Sequence, residues 1–367
     1  SVVGDDRNVG GLVGYADNCR FEDCGSSASV TGRSHAGGIV GEASNCQFSR
    51  CRATGTVTAA GWSGGFVGDT VNCTFAKCRA SGRVVGQPSL ADNSSTYSCR
   101  IGGFTGYVEY ANDFADCYST ASVSAPEDED VGGFAGYIDG KRGTSLAVFK
   151  RCYSTGAVTG KTFVGGFAGK IEYFDIEDCY CKSAVTAVGE SVGGLASATV
   201  GGFFGIVTDT RQTAKLMRCY ALGKVTAPRS SGVVSLVYAG GFSWYQNYLS
   251  AANFGGIACT DCYWDASSTG QSKSIFGKSL SGLSIRSKIA AGTWYVDDVQ
   301  EGGETPPDDP SGGDAADPAA AVDIVQDAAG CSVRGTGVYK KGETVTLTAM
   351  PSTDSLFDGW YSDPACL

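Results

Sequence analysis

Eight of the Gly-Gly pairs in this chain mark a repeat, at 10–11, 37–38, 64–65, 102–103, 132–133, 165–166, 201–202 and 240–241. Each is followed by a β-prone segment with a recurring cysteine: Cys24, Cys51, Cys78, Cys117, Cys152, Cys179, Cys219 and Cys262 in turn. The first three units, 9–32, 36–59 and 63–86, superpose at a period of 27 residues, and the later ones carry insertions. No other feature constrains the fold as much. A unit of that length holds three apolar runs of 4–6 residues, too short for helices and too small to bury a core alone, so the units must stack.

Stacking predicts an all-β, parallel β-solenoid of about eight coils, each strand pairing with its counterparts above and below at about 4.8 Å. Equivalent side chains then form interior ladders. The residue after Gly-Gly is Leu12, Ile39, Phe66, Phe104, Phe134, Phe167, Phe203 or Phe242, and the third run supplies Val30, Val57, Val84, Val123, Val158, Val185 and Val225. Composition agrees: 54 of 367 residues are glycine and 9 proline, with no glycine every third residue, which favours turn-rich β structure over collagen. Hydrophobic residues make up 42%, enough for a core.

The formal charge is −10, from 38 acidic and 28 basic residues, with no basic cluster, which excludes nucleic acid as a partner. Six of the negatives fall in 301–321, leaving −4 elsewhere. The longest uncharged stretch, 230–260, is broken by polar residues and glycine, so no transmembrane helix is expected. SVVG at 1–4 resembles the end of a repeat, as in SVTG at 29–32, so the chain is expected to start inside a longer protein.

The pattern [VA]GG[FLI]xG followed by C-[YR]-[AS]-[ST]-G-x-V-T, over roughly 9–270, resembles the GLUG repeats of bacterial surface proteins, adhesins and the non-catalytic regions of some immunoglobulin A peptidases. CYWDASSTGQSKS (262–274) is similar to the segment that closes such arrays, with Asp265 and Gly270 in place. GTGVYKKGETVTLTAMPSTDSLFDGW (335–360) resembles the first half of a divergent internalin-type B repeat. The resemblance implies an extracellular protein at a bacterial cell surface, a stalk or adhesin whose partner is a host or bacterial surface glycan or protein. It defines no catalytic residue. The expected organisation is a solenoid over 1–300 with a cap from about 262, an acidic Pro/Gly/Ala linker over 301–321 and a partial β module over 322–367.

Three readings are open for the cysteines: a ladder of buried thiols, disulfides within the pairs Cys19/Cys24, Cys46/Cys51 and Cys73/Cys78, or a metal. The ladder cysteine recurs in all eight units, mostly without a partner five residues earlier, which favours buried thiols. Burial predicts that Cys152→Ser costs about 1–3 kcal/mol through an unsatisfied hydroxyl. Cys331 and Cys366 bracket the last module and are the candidate disulfide. No cofactor or metal site is expected.

The residue after the ladder cysteine points the other way along a strand. In the last five units it is Tyr118, Tyr153, Tyr180, Tyr220 and Tyr263, an expected outward strip that either binds a ligand or supports the sheet. Insertions follow the valine run (87–100, 125–130, 187–200, 228–239) and the Gly-Gly run (138–148, 206–216, 243–258), so they emerge at two corners. The loop 243–258 carries Trp244, Tyr245 and Tyr248, candidates for ligand binding or for capping the last coil. Catalytic signals are thin. Ser-His-Asp chemistry would rest on the one histidine, His35, and the run Glu127–Asp130 reads as a solvated turn. The reading is therefore a non-catalytic surface region, the alternative a β-helix polysaccharide lyase or glycoside hydrolase. An enzyme of that kind needs convergent carboxylates with a basic group in a cleft.

Overall fold

The computed structural model describes residues 1–4, 7–90, 99–140, 146–189, 198–208, 214–227, 237–240, 257–271, 274 and 278–280, together with the backbone of four strands between 320 and 351. Short parallel strands stack in register into five sheets of eight, seven, eight, nine and eight strands. Coil two shows the path. Ala36–Gly37 lies in the first sheet, Val40–Ser44 in the second, Gln47–Ser49 in the third, Arg52–Ala53 in the fourth and Thr56–Ala59 in the fifth.

A coil thus holds five strands where the apolar runs predict three. The Gly-Gly run breaks at its bend, because a Cβ on Gly102 would lie 2.0 Å from the Thr105 carbonyl oxygen and one on Gly103 2.1 Å from that of Gly133. The cysteine run breaks because the residue before the ladder cysteine is left-handed: φ is 53° at Asp23, 53° at Arg50, 55° at Lys77 and 56° at Asp116. The ladder cysteines therefore sit at the corner between the third and fourth sheets. The insertions leave at the two expected corners: 87–100 joins Arg83–Gly86 of the fifth sheet to Ile101–Gly102 of the first, and Ala135–Asp139 of the second precedes Ala147–Lys150 of the third.

Two phenylalanine ladders fill the interior. Phe66, Phe104, Phe134, Phe167 and Phe203 stack at 4.7–5.0 Å. Phe21, Phe48, Phe75, Phe114 and Phe149 stack at 4.6–4.8 Å in a second column, three residues before each ladder cysteine. The columns meet edge to face, as Phe75 does Phe104 at 5.8 Å. A separate cluster, with Val84, Val123, Val158 and Val185 at its centre, lies inside the fifth sheet.

The cysteines form two columns at two corners. Cys19, Cys46 and Cys73 turn the second sheet into the third, whereas Cys24, Cys51 and Cys78 turn the third into the fourth. All are free thiols, which rules out the Cys-x4-Cys disulfides. Each thiol donates to the carbonyl two residues back, as Cys46 does to Ser44 at 3.1 Å and Cys179 to Glu177 at 3.2 Å. Several also accept an amide from the neighbouring coil, as Cys46 Sγ does from Cys19 N at 3.4 Å and Cys179 Sγ from Cys152 N at 3.3 Å. In coil four Asn112 takes over at the first corner, its Oδ1 accepting Cys73 N at 2.8 Å. The thiols are hydrogen-bonding corner residues as well as small hydrophobes.

That correction changes the expectation for Cys152→Ser. Cys152 Sγ donates to Lys150 O at 3.4 Å, an acceptor a serine hydroxyl also reaches, so the hydroxyl is not left unsatisfied. Cys152→Ser should cost less than about 1 kcal/mol, whereas Cys152→Val, which loses the bond and overfills the corner, should cost about 1–3 kcal/mol. Urea midpoints of the two variants check the order, and serine as the worse substitute would contradict it.

The left-handed corner also carries an ion-pair ladder. Arg50 clasps Asp23 (2.7 and 2.9 Å), Arg151 clasps Asp116 (2.5 and 2.9 Å) and Arg218 clasps Asp178 (2.5 and 2.8 Å), each across one coil-to-coil step. The sign alternates along this corner from Lys77 onward, whereas Arg50 and Lys77 follow one another as like charges.

At the far end, Tyr263–Asp265 leads into the helix Ala266–Thr269, whose N-cap Asp265 accepts from Ser267 N at 3.0 Å and whose C-cap Gly270 is left-handed. Lys278–Leu280 adds a ninth strand to the fourth sheet. Beyond it, Ala320–Val322 pairs antiparallel with Gly337–Tyr339, and Cys331–Arg334 with Thr348–Pro351. The Cys331 thiol, Cys366 and most of the 301–321 linker lie outside the described residues.

Candidate functional site

The residue preceding each first-sheet strand lies beside the third residue of each second-sheet strand, and the two columns form a seam on the outside of the coil. Asn8, His35, Trp62, Arg100 and Asp130 make one column by the register of the strands they precede. Tyr15, Glu42, Asp69, Tyr107, Tyr137 and Lys170 make the other.

Between coils two and five the seam is aromatic. His35 meets Trp62 edge on at 4.7 Å, Trp62 meets Tyr107 at 4.9 Å, and Tyr107 stacks on Tyr137 at 5.2 Å. The Arg100 guanidinium lies among these rings, 3.8 Å from the Tyr107 centroid, 4.6 Å from Trp62 and 4.7 Å from Tyr137. Tyr137 Oη donates to Glu172 at 2.9 Å, and Lys170 Nζ pairs with the same carboxylate at 3.2 Å while lying 4.4 Å over the Tyr137 ring.

Three carboxyls are buried around this cluster. Asp69 is 4% exposed, Asp128 2% and Asp130 5%. Among the described residues, Asp69 Oδ1, Asp130 Oδ1 and Arg100 Nε have no hydrogen-bond partner. Burial, with Glu109 and Glu42 nearby, holds the Asp69 carboxyl well above the usual carboxylate range, against the pull of Arg100. Burial likewise raises Asp130 to about 7, with Lys170 and Arg100 opposing, and Asp128 to about 6. The expectation of a solvated turn at 127–130 is therefore wrong: the turn tucks Asp128 and Asp130 inward, Asp128 beside the Cys99 thiol.

His35 is not an isolated residue. Its Nδ1 lies 3.0 Å from Ser34 Oγ and its Nε2 4.0 Å from Asp69 Oδ2. Burial, with Arg7 and Arg100, lowers it to about 4, so the ring is neutral at pH 7. A Ser-His-Asp relay needs an ionised aspartate in hydrogen-bonding range of the imidazole. Asp69, at 4.0 Å and with its charged form disfavoured by burial, does not supply one.

The tyrosine strip exists but does not face outward along its length. Tyr118, Tyr153, Tyr180 and Tyr220 stack at 4.7, 4.7 and 5.1 Å, and Tyr263 continues the register. Tyr180, Tyr220 and Tyr263 are buried in a cluster separate from the main core, packed by Tyr153, Leu222 and Leu280. Only Tyr118 and Tyr153 are half-exposed. Trp244, Tyr245 and Tyr248 lie outside the described residues. Among those described, no group of three His, Cys, Asp or Glu is placed to hold a metal ion, and no helix is long and apolar enough to cross a membrane.

The family described as the GLUG motif matches residues 5–31 and 32–58. The first two coils are thus similar to GLUG repeats. Each match ends within a fifth-sheet strand, Val30–Gly32 or Thr56–Ala59, and so spans about one turn of the coil. The later coils keep the same ladders with insertions between them. No curated protein and no solved structure matches the chain.

The seam escaped the reading of the sequence because its residues vary from coil to coil. A signal was available: the position two before each of the first five Gly-Gly pairs of the repeat holds Asn8, His35, Trp62, Arg100 and Asp130, polar or aromatic where a strand core would be aliphatic.

Proposed function

We propose that this chain is a non-catalytic extracellular region in which a GLUG solenoid acts as a rigid stalk and presents Trp62 and Arg100, the half-buried edge of the seam, to a surface glycan. GLUG repeats are typical of extracellular proteins, and the resemblance to adhesins and internalin-type repeats supports a place at a bacterial surface. The observation that carries the reading is the aromatic run clasped around Arg100. The open part of the Trp62 ring and the planar Arg100 cation, held in place by the buried Tyr107 and Tyr137, suit the apolar faces and hydroxyls of sugars. Seven coil-to-coil steps at about 4.8 Å give a stack roughly 34 Å tall, a spacer's shape.

The test is a glycan array with the purified chain. Arg100→Ala should weaken binding at least about tenfold, and Arg100→Lys, which keeps charge but not the planar stack, should fall between. Circular dichroism checks that the β signal is kept. Binding unaffected by both variants would move the ligand off the seam.

A second reading, a carbohydrate-active β-helix enzyme, is favoured by Asp69 and Asp130 converging on Arg100. Their near-complete burial argues against it, since a general acid must reach the glycosidic oxygen. Release of reducing ends or unsaturated uronates from a polysaccharide panel, abolished by Asp130→Asn, would establish the enzyme instead.

A further inference from the structure

One thiol of the last described coil is exposed. Ile257–Thr260 ends the third sheet, and Cys259 pairs in register with Leu216. That inward column runs back through Ile176, Phe149 and Phe114. Leu216, Ile176, Phe149 and Phe114 are all buried. Cys259 holds the same inward position yet is exposed, alone among the described cysteines. Among the described residues the fourth sheet continues past this level with Lys278–Leu280, and the third ends at Ile257–Thr260. Cys262, three residues on and across the left-handed Asp261, is buried. Its thiol donates to Thr260 O at 3.4 Å and Leu216 O at 3.3 Å, and hydrogen-bonds with Cys219 and Cys259.

We propose that Cys259 and Cys262 are a redox-active dithiol that closes to an intrachain disulfide at the open end of the core, using a small-molecule disulfide as oxidant. The Cys259 thiolate attacks one sulfur of the oxidant, breaking its S–S bond and expelling one thiolate, which takes up a proton. Cys262 then loses its proton and attacks the Cys259 sulfur of the mixed disulfide, expelling the second thiolate. Two protein thiols and one disulfide become one protein disulfide and two small thiols, with the electrons passing to the oxidant.

Exposure sets the order of events. Cys259 is open to the oxidant, while the hydrogen bond to Cys219 and burial keep the Cys262 thiol protonated until the mixed disulfide brings a leaving group beside it. The other ladder thiols do not compete. Along a column, in-register parallel strands hold successive Cβ atoms near 4.8 Å, beyond the ~3.5–4.5 Å that a disulfide spans. The Cys259–Cys262 pair lies across a corner, where that spacing does not apply. The inference is independent of any ligand at the seam.

The full chain, reduced and freed of reductant, is titrated with glutathione disulfide, alkylated and digested with trypsin. Cleavage after Arg229 and Lys273 leaves both cysteines in one peptide with no others. That peptide should become lighter by two hydrogens and resist alkylation until reduced, while peptides carrying Cys117, Cys152 and Cys179 stay fully alkylated. Cys262→Ser should instead accumulate a glutathione adduct on Cys259, and Cys259→Ser should leave the peptide unoxidised. A stable adduct on Cys259 in the unmodified chain would overturn the proposal, as would oxidation of the interior cysteines first or no change in the 230–273 peptide under any glutathione ratio.

Discussion

Phe104→Ala is expected to lower the free energy of unfolding by about 3–5 kcal/mol. Phe104 is fully buried. It stacks on Phe66 at 4.7 Å and Phe134 at 4.8 Å, and meets Phe75 and Phe114 edge on at 5.8 and 6.0 Å. Truncation removes contacts in both ladders at once. The cavity cannot collapse readily, because five hydrogen-bonded sheets fix the spacing of its walls. Phe21→Ala, in the first coil, should cost distinctly less, since Phe21 stacks only on Phe48 and is 7% exposed. In a stack where each coil contacts chiefly its neighbours, a weak middle coil also uncouples the two ends, so the Phe104 variant should unfold more broadly in urea. Equal, small effects at the two sites would contradict the interlocked ladders.

Asp130→Asn should stabilise the chain at pH 8 by on the order of 3–4 kcal/mol and do little at pH 4, since each tenfold difference in proton affinity between the folded and unfolded chains is worth about 1.4 kcal/mol. The folded-state value of Asp130, about 7, lies above the unfolded value of about 3.9. Between those values the unfolded chain has released its proton and the folded chain has not, so stability falls as pH rises from about 4 to 7. Asp128, at about 6, adds a smaller loss between about 4 and 6. His35 works in the opposite sense. Its folded value of about 4 lies below the unfolded 6.5, so it costs stability as pH drops from about 6.5 to 4, and His35→Gln should steepen the net loss toward neutral pH. Thermal melts from pH 4 to 8 on the three chains measure these slopes. A flat difference between Asp130→Asn and the parent would mean that Arg100 and Lys170 keep the carboxylate ionised.

The solenoid was legible because its determinants are local and repeated. Gly-Gly followed by an apolar residue, the ladder cysteines and the valine run each report one layer of the stack, and in-register pairing multiplies the signal by the number of coils. The second phenylalanine column was equally regular but is read only when positions are counted back from the cysteine. The corner charges, Asp23 over Arg50 and Asp178 over Arg218, look unrelated in sequence because each partner lies in the next coil, 27 to 40 residues away.

By itself the sequence determined the class of fold, the number of Gly-Gly units and which residues ladder through the interior, since a 27-residue unit that cannot bury its own core has only stacking open to it. Tertiary structure alone decided how many strands a coil holds, because the left-handed corners and the Gly-Gly bends divide runs that are continuous in sequence. It also decided which residues meet outside the core. Arg100 sits among Trp62, Tyr107 and Tyr137 because coils three, four and five place a first-sheet entry, an insertion end and second-sheet strands at successive levels of one corner. Such a meeting depends on the stacking register and on insertion length, and neither leaves a pattern in any single repeat.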